Sequence, residues 1–341
     1  MTKDPLLTSS YEYHLPDGLI ATHPVHPRDH ARLLVYNRND HSIIHTRFDR
    51  LNDFLPKECA IIFNDTKVIK ARLYGKKESG GSIELLINRP LNAHTINVYI
   101  KGRVKNGTHL YFDQNVTASV TALNEDGSRE VNFFINNALL RFEDLLPLLD
   151  TIGHIPLPPY LGREDNSEDE REYQTVFAVH EGAVAAPTAS LHFTDELFDQ
   201  VCASHPHAFV TLHVGSGTFK PVECATITDH PMHSEYFEIS DAALQLIKSP
   251  ASIVSIGTTS TRTVEYHIRT GELLGEANLF LHPHNPPQRV NHLLTNFHLP
   301  QSTLLMLVAS FVGLEETHRI YQEAIDQKYR FFSYGDAILI L

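Results

Sequence analysis

Histidines beside small or hydroxyl-bearing residues are the feature of this sequence best suited to chemistry. Four of them, His192, His213, His233 and His298, stand in predicted loops or at predicted strand ends, and Glu235 follows two positions after His233. An imidazole gains and loses a proton near neutral pH, so several together would serve a reaction with more than one proton transfer. Taken singly, each histidine is more often a structural group, and the prediction therefore concerns the set.

The stretch from Gly257 to Arg262, GTTSTR, indicates an anion site. It follows the apolar run SIVSI, so a strand ends where a hydroxyl-rich helix begins. Unpaired backbone N–H groups at a helix start can bind a phosphate or a carboxylate, and Thr258, Thr259 and Arg262 could add contacts. A helix start without a ligand is the alternative. The turn from Gly215 to Gly217 likewise has two interpretations, since it either binds a ligand or is a simple tight turn.

Several standard kinds of site are excluded because their motifs are missing. The sequence has no Walker A motif, no Gly-x-Gly-x-x-Gly, no His-Glu-x-x-His and no Gly-x-Ser-x-Gly. Most of the 22 histidines are isolated or adjacent to proline, and the three cysteines form no metal-binding pattern. We therefore expect no metal, no dinucleotide turn and no covalent hydrolase mechanism.

The elements that must position these residues are of two kinds. After Pro147 the pattern alternates strands and helices, with Thr194 and Ser302 as predicted N-caps and Gly313 as a helix stop. Such alternation predicts a layered α/β domain with a largely parallel sheet, whose strand ends line the ligand crevice. Two earlier strands, LLVYN and AIIFN, belong to the same discontinuous domain, which we predict to comprise residues 1–65 and 151–341.

Residues 66–150 are of the second kind, because they consist of short predicted strands separated by turns. Asn106-Gly107 and Asp126-Gly127 favour tight hairpins, in which both central residues adopt positive φ. Strands at this spacing predict a small antiparallel β-barrel or sandwich domain inserted into the α/β domain. The acidic segment 164–172, EDNSEDERE, is predicted to be a solvated surface linker.

The composition is that of an ordinary globular protein, but its charge is unevenly distributed. Of the 341 residues 42% are hydrophobic, and the net charge of −13 argues against a general nucleic-acid coat protein. The segment from residue 66 to residue 112, however, contains nine basic residues and only two acidic ones. Lys101, Arg103 and Lys105 occupy alternate positions and would share one face of a strand. This strip is either a nucleic-acid backbone site or a solvated face that discourages edge pairing.

No segment predicts secretion or a membrane span. The first residues lack the charged-then-apolar arrangement of a signal peptide. The apolar run from Leu304 to Val312 is interrupted by Ser310 and is far shorter than the ~20 residues that a transmembrane helix needs. The cysteines show no paired spacing, which is simplest for free thiols in a reducing compartment. We expect a soluble, cytoplasmic protein.

Ten segments, taken together, are characteristic of one family. In chain order they are PRDHARLLVY (27–36), FNDTKVIKARLYG (63–75), IGHIPLPPY (152–160), REYQTVFA (171–178), AVAAPTASLHFT (183–194), TLHVGSGTFKPV (211–222), MHSEYFE (232–238), GTTSTRTVE (257–265), TNFHLPQSTLLML (295–307) and YRFFSYGDAILI (329–340). Any one alone would say little, but the ten in order are specific. The chain thereby resembles the S-adenosylmethionine:tRNA ribosyltransferase-isomerases of queuosine biosynthesis.

The resemblance implies an α/β domain with an inserted β-barrel and an unusual reaction. In that family S-adenosylmethionine is a co-substrate that donates its ribosyl group. The acceptor is the aminomethyl-deazaguanine base already present at the wobble position of certain tRNAs. The ribosyl part rearranges to an epoxycyclopentanediol, and the products are epoxyqueuosine-tRNA, adenine and methionine. We expect this tRNA and S-adenosylmethionine as partners, no membrane association, and a monomer.

The resemblance also groups the candidate residues, without assigning an individual role to each. His192, His213, His233, Glu235 and His298 are the candidate catalytic residues. Thr258, Thr259 and Arg262 are expected at the methionine carboxylate or a phosphate. Asn64, Asp65 and Arg72, where the barrel joins the larger domain, are expected at the exposed wobble base. The remaining candidates for the substrate pocket are Arg28, Thr188, Phe193, Gly215, Gly217, Thr218, Phe219 and Asn296, and those for the tRNA backbone are Lys67, Lys101, Arg103 and Lys105.

The sequence departs from the family's usual pattern mainly between residues 278 and 301. Asn278, His282-Pro283-His284, Asn291-His292 and Gln301 stand where Asp, Tyr-Pro-Gly, Asp-Gly and Lys are usual. Divergence of a surface loop explains this, and a paralogue with another acceptor is the alternative. A non-catalytic tRNA-binding protein is a third interpretation. The histidine and Thr/Arg motifs weigh against it, because a pure binder would not need them together.

Overall fold

The computed structural model describes residues 3–215, 217 and 222–341, which pack into two compact units. One unit, the α/β unit, comprises Met1–Thr66, Gln174–His180 and Ala186–Leu341. The other, the barrel unit, comprises Lys67–Tyr173 and Glu181–Ala185. The predicted barrel domain ended at residue 150. In the structure the chain beyond it, to Tyr173, packs with the barrel rather than with the larger unit.

The α/β unit contains both strands and helices, whereas the barrel unit consists mainly of consecutive strands. The strands are β1 (Arg32–Tyr36), β2 (Ile43–Arg47), β3 (Ala60–Asn64), β4 (Thr66–Val68), β5 (Arg72–Lys77), β6 (Ser82–Pro90), β7 (Thr95–Lys101), β8 (His109–Tyr111), β9 (Val116–Leu123), β10 (Arg129–Ile135), β11 (Ala138–Leu139), β12 (His180–Ala183), β13 (His207–Leu212), β14 (Glu235–Ile239), β15 (Ile253–Ile256), β16 (Leu274–Ala277), β17 (His292–Asn296) and β18 (Ala337–Ile340). The helices are α1 (Leu51–Phe54), α2 (Phe142–Ile152), α3 (Asp169–Glu172), α4 (Asp195–Ser204), α5 (Asp241–Lys248), α6 (Gly257–Thr270), α7 (Thr303–Val312) and α8 (Leu314–Asp326).

The α/β unit is built on a nine-stranded mixed sheet with the order β16-β14-β13-β3-β15-β17-β18-β1-β2. The four neighbours β13, β3, β15 and β17 run parallel, and so do β18 and β1. The other neighbouring pairs are antiparallel. The prediction of a largely parallel sheet is therefore wrong. One reason is that two consecutive helices, α7 and α8, separate β17 from β18, so the chain re-enters the sheet in the opposite direction.

Buried apolar side chains cover the central strands, as their uninterrupted hydrophobic sequences predict. Every residue of β3, β15 and β18 is buried. A cluster of phenylalanines that includes Phe48, Phe63 and Phe193 forms part of the core. The predicted caps of the surrounding helices are confirmed, since Thr194 accepts from the Leu197 N–H and Ser302 from the Leu305 N–H. These caps fix where α4 and α7 begin.

The barrel unit contains a closed six-stranded antiparallel barrel, as predicted. Its order is β10-β7-β6-β5-β8-β9, and β9 pairs with β10 to complete the circle, while β11 extends β10. Burial alternates along β6 and β9, so alternate side chains fill the interior. Leu145 and Leu149 of α2 belong to the same core. Closure removes the exposed edges that an open sheet would present.

Local details of the barrel unit differ from the sequence predictions. In Asn106-Gly107 and Asp126-Gly127 only the glycines adopt positive φ, so neither pair forms the tight hairpin predicted. Additional loop residues flank each pair, so the chain can reverse its direction without positive φ at both central residues.

The acidic segment 164–172 lies at the surface as predicted, with six of its nine residues exposed, but it is more than a solvated linker. Asp169 is buried and accepts two hydrogen bonds from Arg163, at 2.6 and 2.7 Å. The Asp165 carboxylate accepts from the Ile155 N–H at 3.0 Å. Acidic side chains here satisfy neighbouring donors, so they fold the segment against its own unit.

Candidate functional site

One edge of the nine-stranded sheet collects most of the predicted site residues of the α/β unit. Because β13, β3, β15 and β17 are parallel neighbours, their carboxyl ends lie along the same edge. We call it the carboxyl edge. Residues at the ends of these strands or just after them are Asn64–Thr66, His213–Gly215, Gly257–Thr259 and Asn296–His298. Strand β14 is antiparallel to β13 and so begins at this edge, with Glu235.

Asn64 joins three of these segments. It is fully buried, and its Oδ1 accepts from the N–H groups of Thr66 and Leu212, at 3.2 and 3.0 Å. Its Nδ2 donates to the Leu212 carbonyl at 3.0 Å and to Thr259 Oγ1 at 3.1 Å. All four bonding positions of the amide are therefore used. Asn64 fixes the end of β3 against the end of β13 and the start of α6.

The two residues after Asn64 bring a carboxyl group and a histidine to the edge. The Thr211 hydroxyl donates to Asp65 Oδ1 at 2.7 Å, and burial raises the pKa of Asp65 above its usual value. Thr66 Oγ1 and His213 Nδ1 are 2.7 Å apart. The His213 ring stacks on Tyr236 with 5.6 Å between centroids. Burial, with a smaller effect of His180, lowers the pKa of His213 to about 4, so its imidazole is neutral at physiological pH.

Glu235 and Arg262 form a buried ion pair at the same edge. Their side chains are 4% and 8% exposed, and Arg262 Nη1 donates to Glu235 Oε2 at 2.5 Å. Glu235 Oε1 accepts from the Gly215 N–H at 3.0 Å. Arg262 Nε donates to the Leu279 carbonyl at 3.2 Å, whereas its buried Nη2 has no hydrogen-bond partner among the described residues. The pair thus anchors the turn after β13.

The glycine turn and the start of α6 complete this part of the edge. A Cβ atom at Gly217 would collide with the ring of His233, so Gly217 packs directly on that imidazole. Thr218 and Phe219 lie outside the described residues. Gly257 begins α6 with φ of +90°, and the helix has no side-chain cap at its N-terminus. Thr258 is buried there, and the hydroxyl of Thr259 is the one bonded by Asn64. Uncapped N–H groups beside small residues suit an anion.

His192 and Asn296 form a second polar group at the carboxyl edge. Asn296 Nδ2 lies 3.2 Å from His192 Nε2 and donates to the Phe332 carbonyl at 3.0 Å, while Thr188 donates to Asn296 Oδ1 at 3.4 Å. His192 and Arg28 line a small hollow with a cavity volume of about 10 Å³, roughly the room that one water molecule needs. The other lining residues are Pro24, Val25, Ala31, Leu191, Ser333, Tyr334 and Gly335.

Two predicted site residues lie in the core of the α/β unit. Phe193 is fully buried and packs edge-to-face on Phe48 and Phe63. The ring of His298 lies 2.9 Å from the hydroxyl of Thr295, and Tyr13 donates a short hydrogen bond to the His298 carbonyl. Burial lowers the pKa of His298 to about 3. The structure does not bring these two side chains together with the rest of the predicted set.

The remaining candidates lie in the barrel unit. Arg72 is bonded to the Leu157 carbonyl at 3.0 Å and lies 3.3 Å from Glu84, and Lys67 pairs with Glu181 at 2.8 Å. Lys101 ends β7, so Arg103 and Lys105 belong to the following loop rather than to the strand. The expectation that the three share one strand face is therefore wrong. All three are exposed, and we call them the basic loop.

Sequence reasoning missed two residues of the carboxyl edge. Thr66 and Tyr236 contact His213 and lie in segments characteristic of the family, yet neither was a candidate site residue. Alternation along β14 was the available signal for Tyr236, because it places that residue on a defined face of the sheet. Among the residues described, no group of three or more His, Cys, Asp or Glu could hold a metal ion, and no helix is long and apolar enough to cross a membrane.

Comparison with known protein families accounts for nearly the whole chain. The family described as "Queuosine biosynthesis protein" matches residues 8–340. The chain belongs to this family. The predicted resemblance is thereby confirmed, and so is the predicted class of enzyme, a transferase.

Individual members of the queuosine biosynthesis family match over their full length. Two relatives named S-adenosylmethionine:tRNA ribosyltransferase-isomerase, from Sulfurimonas denitrificans and Campylobacter jejuni, are 62% and 55% identical, and both alignments cover 100% of each chain. A crystal structure of an S-adenosylmethionine tRNA ribosyltransferase from Thermotoga maritima is 32% identical. It covers 97% of this chain and 100% of that chain with a TM-score of 0.55. The predicted fold class, an α/β domain with an inserted β-barrel, is confirmed.

Proposed function

We propose that the chain transfers and isomerises the ribosyl group of S-adenosylmethionine onto the aminomethyl-deazaguanine wobble base of tRNA. The products are epoxyqueuosine-tRNA, adenine and methionine. The observation that carries this proposal is the full-length match, at 62% identity, to a relative named for the same transfer. The arrangement of the carboxyl edge supports it, because in open α/β sheets ligands bind beyond the carboxyl ends of the strands.

The reaction needs a proton removed beside the sulfonium, assistance to the departing adenine, and attack by the acceptor amine. We assign the proton transfers to His213 and His233. A neutral imidazole can accept a proton, and the low pKa of His213 keeps that ring neutral at physiological pH. Both oxygens of Glu235 already accept hydrogen bonds, which suits an anchor for Gly215 and Arg262 better than a base.

The uncapped start of α6 is the proposed site for the negatively charged group of a substrate. Thr258 and Thr259 stand at its first turn, where backbone N–H groups and the helix dipole both favour an anion. Arg262 lies on the same helix, with a buried nitrogen that has no partner among the described residues. Asp65, which follows the end of β3, is proposed to face the acceptor base. Asn64 is proposed to position that strand end, because its amide is buried and fully bonded within the protein.

The basic loop is proposed to bind tRNA phosphates. Its three side chains are exposed, and among the residues that the structure describes only Lys101 has an acidic neighbour, Glu84, at 3.9 Å. Charges of this kind raise affinity for any nucleic acid and release counterions on binding. We further propose a cytoplasmic monomer that needs no metal, in keeping with its free cysteines.

The test combines purified protein, S-adenosylmethionine and tRNA carrying the aminomethyl-deazaguanine base. Free adenine is measured by chromatography and the tRNA by mass spectrometry. We expect both adenine release and a mass gain on the tRNA, and neither with tRNA carrying guanine. Adenine without a mass gain would indicate hydrolysis instead of transfer. A folded protein that gives neither signal would contradict the proposal and favour a paralogue with another acceptor.

A further inference from the structure

His192 lies at the end of a short 3₁₀ helix, Thr188–His192, beside the carboxyl edge. It is only 4% exposed, and its ring packs on Phe48 with 4.9 Å between centroids. The same residue lines the hollow that Arg28 also lines. Its ring nitrogens are therefore the polar atoms that it can offer to that hollow, and their protonation decides what they can bind.

Asn296 determines which ring nitrogen of His192 carries the proton, because the hydrogen bonds of Asn296 identify which of its two amide atoms is the nitrogen. The Phe332 carbonyl can only accept, so the atom that faces it at 3.0 Å must be the NH₂ group. Thr188 donates to the oxygen on the other side, at 3.4 Å. The same NH₂ group lies 3.2 Å from His192 Nε2 and has one hydrogen left to donate.

A donor opposite Nε2 requires a lone pair on that nitrogen, so the proton of the neutral ring is on Nδ1. Protonating both nitrogens would set an N–H against the amide N–H. Burial also lowers the pKa of His192, to about 3, and the charges of Arg330 and Arg28 act in the same direction. No described carboxylate forms an ion pair with the ring. Nδ1 has no hydrogen-bond partner among the described residues, so its N–H is available for a ligand.

We propose that Asn296 is a positioning residue that holds His192 as a neutral imidazole with its proton on Nδ1. That N–H serves as a fixed hydrogen-bond donor to a single acceptor atom of S-adenosylmethionine that reaches into the hollow. His192 then binds and orients, and it does not exchange a proton during the reaction. The identity of the ligand rests on the proposed function, whereas the tautomer rests on Asn296 alone.

The tautomer is tested by NMR on protein labelled with ¹⁵N at histidine, with the His192 signals identified by their loss in His192→Asn. In the unchanged protein we expect Nε2 in the range of an unprotonated nitrogen, with no change from pH 8 to pH 5.5. In Asn296→Asp the carboxylate accepts from Nε2, so the proton moves to Nε2 and the pKa of His192 rises. Protonation at Nε2 in the unchanged protein, or identical spectra in both proteins, would overturn the proposal. Asn296→Ala is the alternative variant if Asn296→Asp fails to fold. It leaves Nε2 without a hydrogen-bond donor, so His192 should show a mixture of both tautomers.

The donor role is tested by two variants that differ in the position of one amide. The amide of His192→Asn lies near the position of Nδ1, and that of His192→Gln lies near Nε2. We expect S-adenosylmethionine to bind nearly as well to His192→Asn and roughly tenfold more weakly to His192→Gln, the loss of about one hydrogen bond. An equal loss in both variants contradicts the donor role. Direct binding of S-adenosylmethionine is the readout, so failure of the tRNA reaction would leave this test intact.

Discussion

The carboxyl edge and the basic loop use polar side chains in opposite ways. At the edge, the side chains of Asn64 and Glu235 are buried and each makes more than one hydrogen bond. In the basic loop, Arg103 and Lys105 are exposed, and no described carboxylate forms an ion pair with either. A buried network has one geometry, because any departure leaves a donor or acceptor unsatisfied. Exposed cations adapt to many geometries, which suits a phosphate backbone and does not suit a reaction.

As pH falls, the α/β unit should therefore lose stability before the barrel unit does. The pKa values of His192 and His298 are about 3 and that of His213 about 4, all below the ordinary value of 6.5, and all three residues lie in the α/β unit. Between pH 6.5 and 4 the unfolded chain binds protons that the folded chain does not. The free energy of unfolding then falls as pH falls, by up to about 1.4 kcal/mol per pH unit for each histidine. Asp65 and Asp336, whose pKa values are raised by burial, offset part of this loss.

Hydrogen exchange followed by mass spectrometry at pH 7 and pH 5 measures this difference, after correction for the intrinsic pH dependence of exchange. Peptides of the α/β unit should lose more protection than those of the barrel unit. His298→Gln should make the pH dependence shallower. An equal loss of protection in both units would show that the buried histidines do not cause the difference.

Breaking the buried ion pair should be the most damaging single substitution. Glu235→Ala leaves the guanidinium of Arg262 buried without its partner and removes the acceptor of the Gly215 N–H. We expect the free energy of unfolding to fall by about 3–5 kcal/mol, as for other buried pairs with one member removed. Urea denaturation provides the measurement. Asp53→Ala, which breaks the exposed pair of Arg50 and Asp53, is the matched control and should change little.

Removing the side-chain amide of Asn64 should lower the free energy of unfolding less than Glu235→Ala does. It should, however, disorder the carboxyl edge. Asn64→Ala leaves the buried Leu212 N–H unsatisfied, which costs about 1–3 kcal/mol. Because the start of α6 loses its tie to β3, adenine release should fall further than stability alone explains. Thr259→Val removes just the Asn64–Thr259 bond and should have a smaller effect on both. A fully active Asn64→Ala protein would contradict the proposed site.

Neutralising the basic loop should affect tRNA binding and nothing else. The triple substitution Lys101→Ala, Arg103→Ala and Lys105→Ala should weaken tRNA binding at low salt. It should also reduce the slope of log Kd against log salt by about 0.7–0.9 for each phosphate that the loop no longer neutralises. Exposed residues contribute little to folding, so the unfolding midpoint should stay nearly the same. Unchanged binding at every salt concentration would exclude the loop from the tRNA site.

The same contrast explains what the sequence could and could not predict. Chemistry-bearing residues after predicted strands located the carboxyl edge, because strand ends in an α/β sheet are sites of known position. The sequence did not predict that Phe193 and His298 would face the core, since residue type alone does not give the direction of a side chain. It also missed Thr66 and Tyr236, whose roles depend on which segments become neighbours. The direction of β18 could not be read from alternation, because two helices precede it in place of one.

The place of β18 also has a consequence for synthesis on the ribosome. Strand β1 pairs with β18, Leu33 opposite Ala337 and Val35 opposite Leu339. About 300 residues separate these partners, which at the usual rate of translation means a delay of roughly 15 s to a minute. Throughout that time the nascent β1–β2 hairpin has an unpaired, apolar edge that other chains could join. The α/β unit is therefore a strong candidate for protection by a chaperone that binds the chain as it emerges.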